Sequence, residues 1–287
     1  MGSRSPQVRR RRLGVELRQL RDEAGLTIEQ LAARLEMSVS KVSRIETGQV
    51  GATPRDVRDM ATVYGVQGQR LNNLMQLARE TREKPWWGEY RDIHQSFAAY
   101  EAEASTILMF EVAKIPGLLQ TQDYAHAIIR AVRTDLPPDK IERRVEFRMR
   151  RQALLDEPKP PALWAVIDEA VLRREVGGRE TMIGQLKYLI ERAALPHVTL
   201  QVLPFSAGEH PGIDGPFILI RFPEKTDRDM VYLEHAGLEH WLDDDDAVAL
   251  HASLFDHLRA AALKPDDSLK LLTERLQNLE AGRRLEG

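Results

Sequence analysis

The sequence predicts a mainly helical chain in two parts: a five-helix N-terminal domain, then an α+β domain with a small, mostly antiparallel sheet. Three observations lead there. The 287 residues suggest about two domains at ~150 residues each. Residues 13–84 carry apolar residues at helical spacing with almost no strand signal, and β-like runs appear only after residue 160. The charge also divides: residues 1–84 hold 16 Lys/Arg against 10 Asp/Glu, net +6, whereas residues 85–287 hold 25 against 34, net −9. Such asymmetry suggests one part that faces nucleic acid and one that does not.

The helices of the first part follow from their spacing and punctuation. Leu13, Leu17, Leu20 and Ala24 share one helix face, and Gly25 ends that helix. Thr27 with Gln30 has the form of a capping box for a second helix carrying Ile28, Leu31, Ala32 and Leu35. Ser38 caps a third, with Val39, Val42 and Ile45, which stops at Gly48. Thr53-Pro54 opens a fourth with Val57, Met60, Ala61 and Tyr64. Gly65 and Gly68 separate it from a fifth with Leu71, Leu74, Met75 and Ala78. Lys84-Pro85-Trp86-Trp87-Gly88 breaks the pattern, which sets domains of 13–84 and 85–287 after a basic arm at 1–12.

In the second part, residues 97–133 read as helical with a break at Ile115-Pro116-Gly117, and 138–155 as another helix. Ala162–Ile167, Val198–Leu203, Phe217–Phe222 and Met230–Leu233 read as strands, with a helix over 179–194 between the first two. Two helices, near 244–262 and 266–282, close the chain.

Composition excludes several classes. With no cysteine there is no disulfide framework, thiolate metal site or cysteine nucleophile. No apolar stretch approaches the ~18 residues of a membrane span. Charges recur just after Arg9–Arg12, so no signal-peptide apolar region follows, and a cytoplasmic protein is expected. The first domain has no His and no Gly-rich phosphate loop, which argues against catalysis there.

The informative stretch is Leu26–Gly48. Apolar anchors at Leu31, Leu35, Val42 and Ile45 set two short helices at a steep angle and project the second outward with Ser40, Lys41, Ser43 and Arg44 on its surface. Such a helix fits the major groove, where Arg and Lys read guanine edges. One such helix reads only a few base pairs, so a homodimer on a pseudo-palindromic double-stranded operator is expected.

Residues 13–80 resemble the XRE family, the lambda-repressor-like helix-turn-helix domain. The resemblance is carried by Leu17-Arg18-x-Leu20-Arg21, Gly25-Leu26-Thr27, Leu31-Ala32 and Ser38-x-Ser40-x-Val42-Ser43-Arg44-Ile45-Glu46-x-Gly48. It implies that Ser40, Lys41 and Arg44 face base edges and that Thr27, Gln30 and Ser43 approach the backbone, with Ser38 in the same DNA-facing set. Ile28 stands where the family usually has Gln. Arg21 and Glu46 are implied to form an ion pair between the first and third helices, a structural role. Arg9, Arg10, Arg11 and Arg12 read either as a solvated tail or as an arm following phosphates or the minor groove.

The large domain resembles an actinobacterial class of XRE regulators that includes WhiJ-like proteins. The shared motifs are Ile115-Pro116-Gly117-Leu118-Leu119-Gln120-Thr121, Arg148-x-x-Arg151-Gln152-Ala153-Leu154-Leu155, Asp168-Glu169-Ala170-x-Leu172 and Gln201-Val202-Leu203-Pro204-Phe205. Phe217-Ile218 and Tyr232-Leu233-Glu234 continue the match. The resemblance implies a small protein partner encoded nearby and an antitoxin-like role, and carries no catalytic residues.

His210 and Asp214, in a turn-rich loop between two strands, are candidates for a ligand pocket, with turn geometry the simpler account. Asp168-Glu169 reads as a helix cap or a functional pair. His235, Glu239 and His240 have metal-ligand spacing only if they lie on a helix, and no metal or other cofactor is expected. Asp243–Asp246 suits a helix N-terminus. Trp164 and Trp241 suit core packing, and Trp86-Trp87 an interdomain contact. Leu269, Leu272, Leu276 and Leu279 form a stripe for internal packing or dimerisation.

The sequence therefore predicts a non-enzymatic, sequence-specific transcriptional regulator. Its large domain dimerises and receives a small-molecule effector or a protein partner. The alternatives are sequestration of a small partner protein, as an antitoxin does, and a DNA-targeted enzyme with catalysis in the large domain.

Overall fold

The computed structural model describes residues 5–82, 85–90, 92–93, 96–224, 227–235 and 238–282. Lys84, at the expected domain break, and residues 1–4 of the expected arm lie outside this set. The chain divides into two compact units, residues 1–103 with 223–227, and residues 104–222 with 228–287. By packing, residues 85–103 belong with the first unit. The added segment holds a 3₁₀ turn at Trp86–Glu89 and a helix at Ser96–Glu101, and the helix packs on the first helix of the chain.

The first unit begins with α1 (Pro6–Glu23), α2 (Ile28–Arg34), α3 (Val39–Glu46), α4 (Pro54–Tyr64) and α5 (Gly68–Glu80), followed by α6 (Ser96–Glu101). α1 starts earlier than the apolar spacing indicated: Ser5 caps it and Pro6 occupies its first turn. Arg9–Arg12 are therefore helical, forming the start of α1 rather than a free tail or arm. Arg9 is buried and pairs with Glu80 and, at 3.7 Å, with Glu103. Arg10 Nε donates to the Pro6 carbonyl at 3.2 Å, and Arg12 lies 3.4 Å from Glu16. Both acidic partners of Arg9 are remote in sequence, so local composition could not reveal that it would be drawn in.

The core of this unit joins Leu13, Leu17 and Leu20 of α1 to Leu31, Val42, Ile45, Val57, Met60 and Leu74 from the next four helices. Gly14 is a point of close approach between α1 and the end of α3. A Cβ there would lie 2.5 Å from the Ile45 carbonyl oxygen and 2.6 Å from that of Glu46.

The second unit holds β1 (Thr106–Glu111), α7 (Gln122–Val132), α8 (Pro138–Gln152), β2 (Ala162–Asp168), α9 (Glu169–Arg173), α10 (Arg179–Ala193) and β3 (Val198–Leu203). β4 (Phe217–Arg221), β5 (Met230–His235), β6 (Leu238–Leu242), α11 (Asp245–Ala261) and α12 (Pro265–Glu280) complete it. The strands form one mixed sheet in the order β3-β2-β1-β4-β5-β6. β1 runs parallel to β2, and β2 to β3, with helical crossovers, while β4, β5 and β6 add antiparallel neighbours. Ile107, Met109, Leu163, Ile167, Leu200 and Val202 pack with α10 and α12 on one face. Leu108, Phe110, Val166 and Leu219 pack with Phe255 and Leu258 of α11 on the other.

Two strands depart from expectation. Thr106–Glu111 lay within a stretch read as helical, yet it is the central strand β1. Its residues from Ile107 to Glu111 are all buried, and Ile107–Phe110 form a continuous apolar run, which periodicity cannot separate from a buried helix. β6 escaped detection because it is short and half exposed. The sheet is consequently larger than expected, with a parallel half. Leu272 and Leu279 of the C-terminal stripe are buried in the unit's own core, with Leu276 packed against it.

Replacing Gly14 by Ala should cost the protein about 1–3 kcal/mol, because two backbone carbonyls must move. That loss exceeds the ~1 kcal/mol that Ala gains over Gly inside a helix. Urea unfolding followed by far-ultraviolet circular dichroism measures it; equal or greater stability would contradict the close packing of α1 on α3.

Candidate nucleic-acid interface

α2 and α3 are built by local hydrogen bonds. Thr27 Oγ1 accepts from the Gln30 amide at 3.3 Å, and the Gln30 side chain returns to accept from the Thr27 amide at 2.9 Å. Ser38 Oγ accepts from the Lys41 amide at 3.1 Å and fixes the start of α3. Between the helices Glu36 adopts a left-handed φ of +53°, an unusual state for a non-glycine residue that turns the chain sharply. Val42 and Ile45 are fully buried and pin the inner face of α3.

The opposite face carries the polar residues. Ser40 and Arg44 are exposed, and Lys41 and Ser43 are half-buried. Thr27 and Gln30 are exposed at the start of α2, and Ser38 is exposed before α3. Arg44 offers a planar guanidinium suited to bidentate contact with guanine. The hydroxyls can donate or accept.

Two ionic contacts set the orientation of α3. Arg21 of α1 grips Glu46 with two hydrogen bonds, Nε to Oε1 at 2.8 Å and Nη2 to Oε2 at 3.0 Å. Its Nη1 donates to the Leu26 carbonyl and to Asp22, each at 2.7 Å. The Glu46 hydrogen bond holds the Arg21 pKa above its ordinary value, against the pull of burial. The second contact was not anticipated: Lys41 Nζ lies 2.9 Å from Asp56 at the start of α4. Asp56 also accepts from the Thr53 amide at 2.9 Å and the Thr53 hydroxyl at 2.8 Å. Burial pushes the Asp56 carboxyl up, but Lys41 and Thr53 outweigh it and hold the pKa below the usual carboxylate value. Thr53-Pro54-x-Asp56 is legible as a capping box, whereas its reach to Lys41 is not. Arg55 beside it, highly exposed, is a further cation that sequence reasoning did not single out.

The other candidates separate. His210 turns onto the Phe110 ring, with centroids 5.9 Å apart, and its Nδ1 accepts from the Gly212 amide at 3.2 Å. A Cβ on Gly212 would overlap the Phe110 ring, so that glycine permits the turn to close over it. Asp214 is exposed on the same loop, and the structure gives the pair no shared contact. His235, Glu239 and His240 lie on the β5–β6 ladder rather than a helix, and among the described residues no three His, Cys, Asp or Glu side chains are grouped to hold a metal. Asp168 and Asp244 act as N-caps of α9 and α11, accepting from Ala170 and Ala247 at 2.8 Å. Trp87 is buried within the first unit and meets Trp86 edge-to-face at 5.6 Å. Trp164 donates to Gln201 at 2.7 Å in the second.

Two family models match the chain. One, described as a helix-turn-helix domain, covers residues 12–74. The other, described as a domain of unknown function (DUF5753), covers residues 94–274. No curated protein and no solved structure matches. The helix-turn-helix match makes DNA the expected partner of the first unit. Among the described residues no helix is long and apolar enough to cross a membrane.

Because Asp56 has a folded pKa below its unfolded one, its contribution to stability is complete at neutral pH and fades as pH falls through the folded value. The stability difference between the parent and Asp56→Asn should stay constant down to about pH 5 and shrink below about pH 4. Urea unfolding at stepped pH reads it out; a difference that grows in acid would contradict the Lys41–Asp56 assignment.

Proposed function

We propose that this chain, which belongs to the DUF5753 family and carries a helix-turn-helix domain at its N-terminus, is a sequence-specific DNA-binding transcriptional regulator. The observation that carries the proposal is the setting of α3. Its apolar face is locked by Val42 and Ile45, its end is held by Arg21 through Glu46, and Ser40 and Arg44 stand exposed between those anchors. A helix fixed at both its base and its end keeps its outer side chains preorganised, which lowers the ordering cost of reading a groove.

In this proposal Arg44 and Ser40 read base edges, while Thr27, Gln30, Ser38 and Ser43 contact phosphates. Lys41 serves two partners. It steadies α4 through Asp56 and adds positive charge at the DNA surface, so its removal affects structure and affinity together. Arg9–Arg12 contribute through the field of the helix rather than as an arm, with Arg9 committed to internal carboxylates.

Two copies bind a pseudo-palindromic operator, and the large domain supplies dimerisation and receives a signal from a small molecule or protein partner. A signal of this kind acts by shifting the population of DNA-competent arrangements. The net charge of −9 over residues 85–287 supports assigning this domain to a ligand other than DNA. The proposal is of a binding protein rather than an enzyme.

Replacing Arg44 by Ala should cost about 1–3 kcal/mol of operator affinity and relax preference at one base pair. Fluorescence anisotropy on a duplex recovered by the full chain from a random pool, repeated with each base changed in turn, measures both. Unchanged affinity and specificity would remove Arg44 from the recognition set.

A further inference from the structure

The motifs that the helix-turn-helix function leaves unused, 115–121 and 148–152, meet in the second unit. The loop is pinned by three glutamines. Gln120 Nε2 donates to the Ile115 carbonyl at 2.7 Å, and Gln152 Nε2 donates to the carbonyls of Gly117 at 3.0 Å and Gln120 at 2.6 Å. Gln185 Nε2 donates to the Leu119 carbonyl at 2.7 Å. Such a loop is held in one shape before anything binds.

Two guanidinium groups converge on this loop. A methyl group built on Gly117 would lie 3.9 Å from Arg148 Nε and 4.0 Å from Arg151 Nη2, with nothing nearer. Among the described residues Arg148 makes one side-chain hydrogen bond, to Gln120 at 2.9 Å, and no ion pair, so four of its five donors are uncommitted. Glu111, at the end of β1, is only 6% exposed, and its carboxyl has neither hydrogen bond nor ion pair among the described residues. Lys114 and Glu234, 3.4 Å apart and partly exposed, stand nearby, where β1 and β5 end on the same edge of the sheet. Carboxyl ends of parallel strands are where open α/β sheets receive ligands.

We infer that Arg148 and Arg151, over the side-chain-free Gly117, form a binding site for a small organic anion, one carrying a carboxylate or phosphate group, with Glu111 as the charge that gates its entry. The site deepens the proposed role of this domain as the receiver of a signal and rests on that proposal for its consequence, while binding itself is measured separately.

The electrostatics agree with the geometry. Burial, with Arg151 beside it, pulls the Arg148 pKa down to about 10, Glu234 and Glu111 opposing and Arg144 adding to the fall. A bound anion relieves that repulsion among cations. Burial pushes the Glu111 carboxyl up to about 7, against Lys114 and Arg148 and with Glu234. The Tyr124 hydroxyl, which accepts from the Ile115 amide at 3.1 Å, also faces Glu111 from α7. A neutral Glu111 donates to an incoming anion; a charged one repels it.

The test titrates the full chain with sodium sulfate and, separately, sodium acetate at constant ionic strength, following arginine Nε–H signals by nuclear magnetic resonance. We expect a saturable shift of the Arg148 signal, weakened about tenfold in affinity in Arg148→Lys, which keeps the charge but loses the planar fork. In Glu111→Gln, which retains Arg148, affinity should rise several-fold near pH 8, with the gain shrinking near pH 6. Tighter sulfate binding identifies a phosphate-type ligand, and tighter acetate binding a carboxylate. A linear response shared by surface arginines, an adventitious ion only, overturns the proposal, as does a Glu111→Gln titration identical to the parent. If the anion binds but duplex affinity does not change, the site stands and the signalling role falls.

Discussion

The geometry of the DNA-binding unit depends on the contact between Arg21 and Glu46. Two short hydrogen bonds join a guanidinium on α1 to a carboxylate at the end of α3, both nearly removed from solvent. The same guanidinium reaches the Leu26 carbonyl ahead of α2. One side chain therefore fixes three consecutive elements. A buried pair of this kind gives little net stability over apolar packing, but breaking one half costs about 3–5 kcal/mol. Its effect is directional: hydrophobic contacts at Leu31, Val42 and Ile45 hold α2 and α3 together, while the ion pair sets the rotation at which Ser40 and Arg44 face outward.

Close backbone packing supports that arrangement. Gly14 lets α1 lie against the carbonyls at the end of α3, and Gly48, with φ of +72°, turns the chain where a Cβ would lie 2.7 Å from Arg11 Cα. Lys41 and Asp56 tie the other end of the helix to α4. The exposed face of α3 is thus braced on both sides by charge and underneath by an apolar seam.

How much of this was legible in the sequence depended on how far each determinant reached. The caps at Thr27, Ser38 and Thr53 and the apolar stripes act within one turn or one helix, and those helices formed as expected. Arg9 was misread because its carboxylates come from Glu80 and Glu103, which no local pattern connects to it. Thr106–Glu111 was misread because a strand buried on both faces has no alternation to detect. The Lys41–Asp56 contact and the convergence of Arg148 and Arg151 over Gly117 needed the fold to bring remote segments together. In each of these cases the residue type was plain, and its neighbour was not.

We propose that α3 reads base edges from the major groove. Methylation interference tests it most directly, because dimethyl sulfate marks guanine N7 in the major groove and adenine N3 in the minor groove. On a duplex recovered by the full chain from a random pool, N7 methylation within the site should abolish binding and N3 methylation there should leave it intact. Interference confined to adenine N3, or absent at every guanine of the site, would contradict major-groove reading by α3.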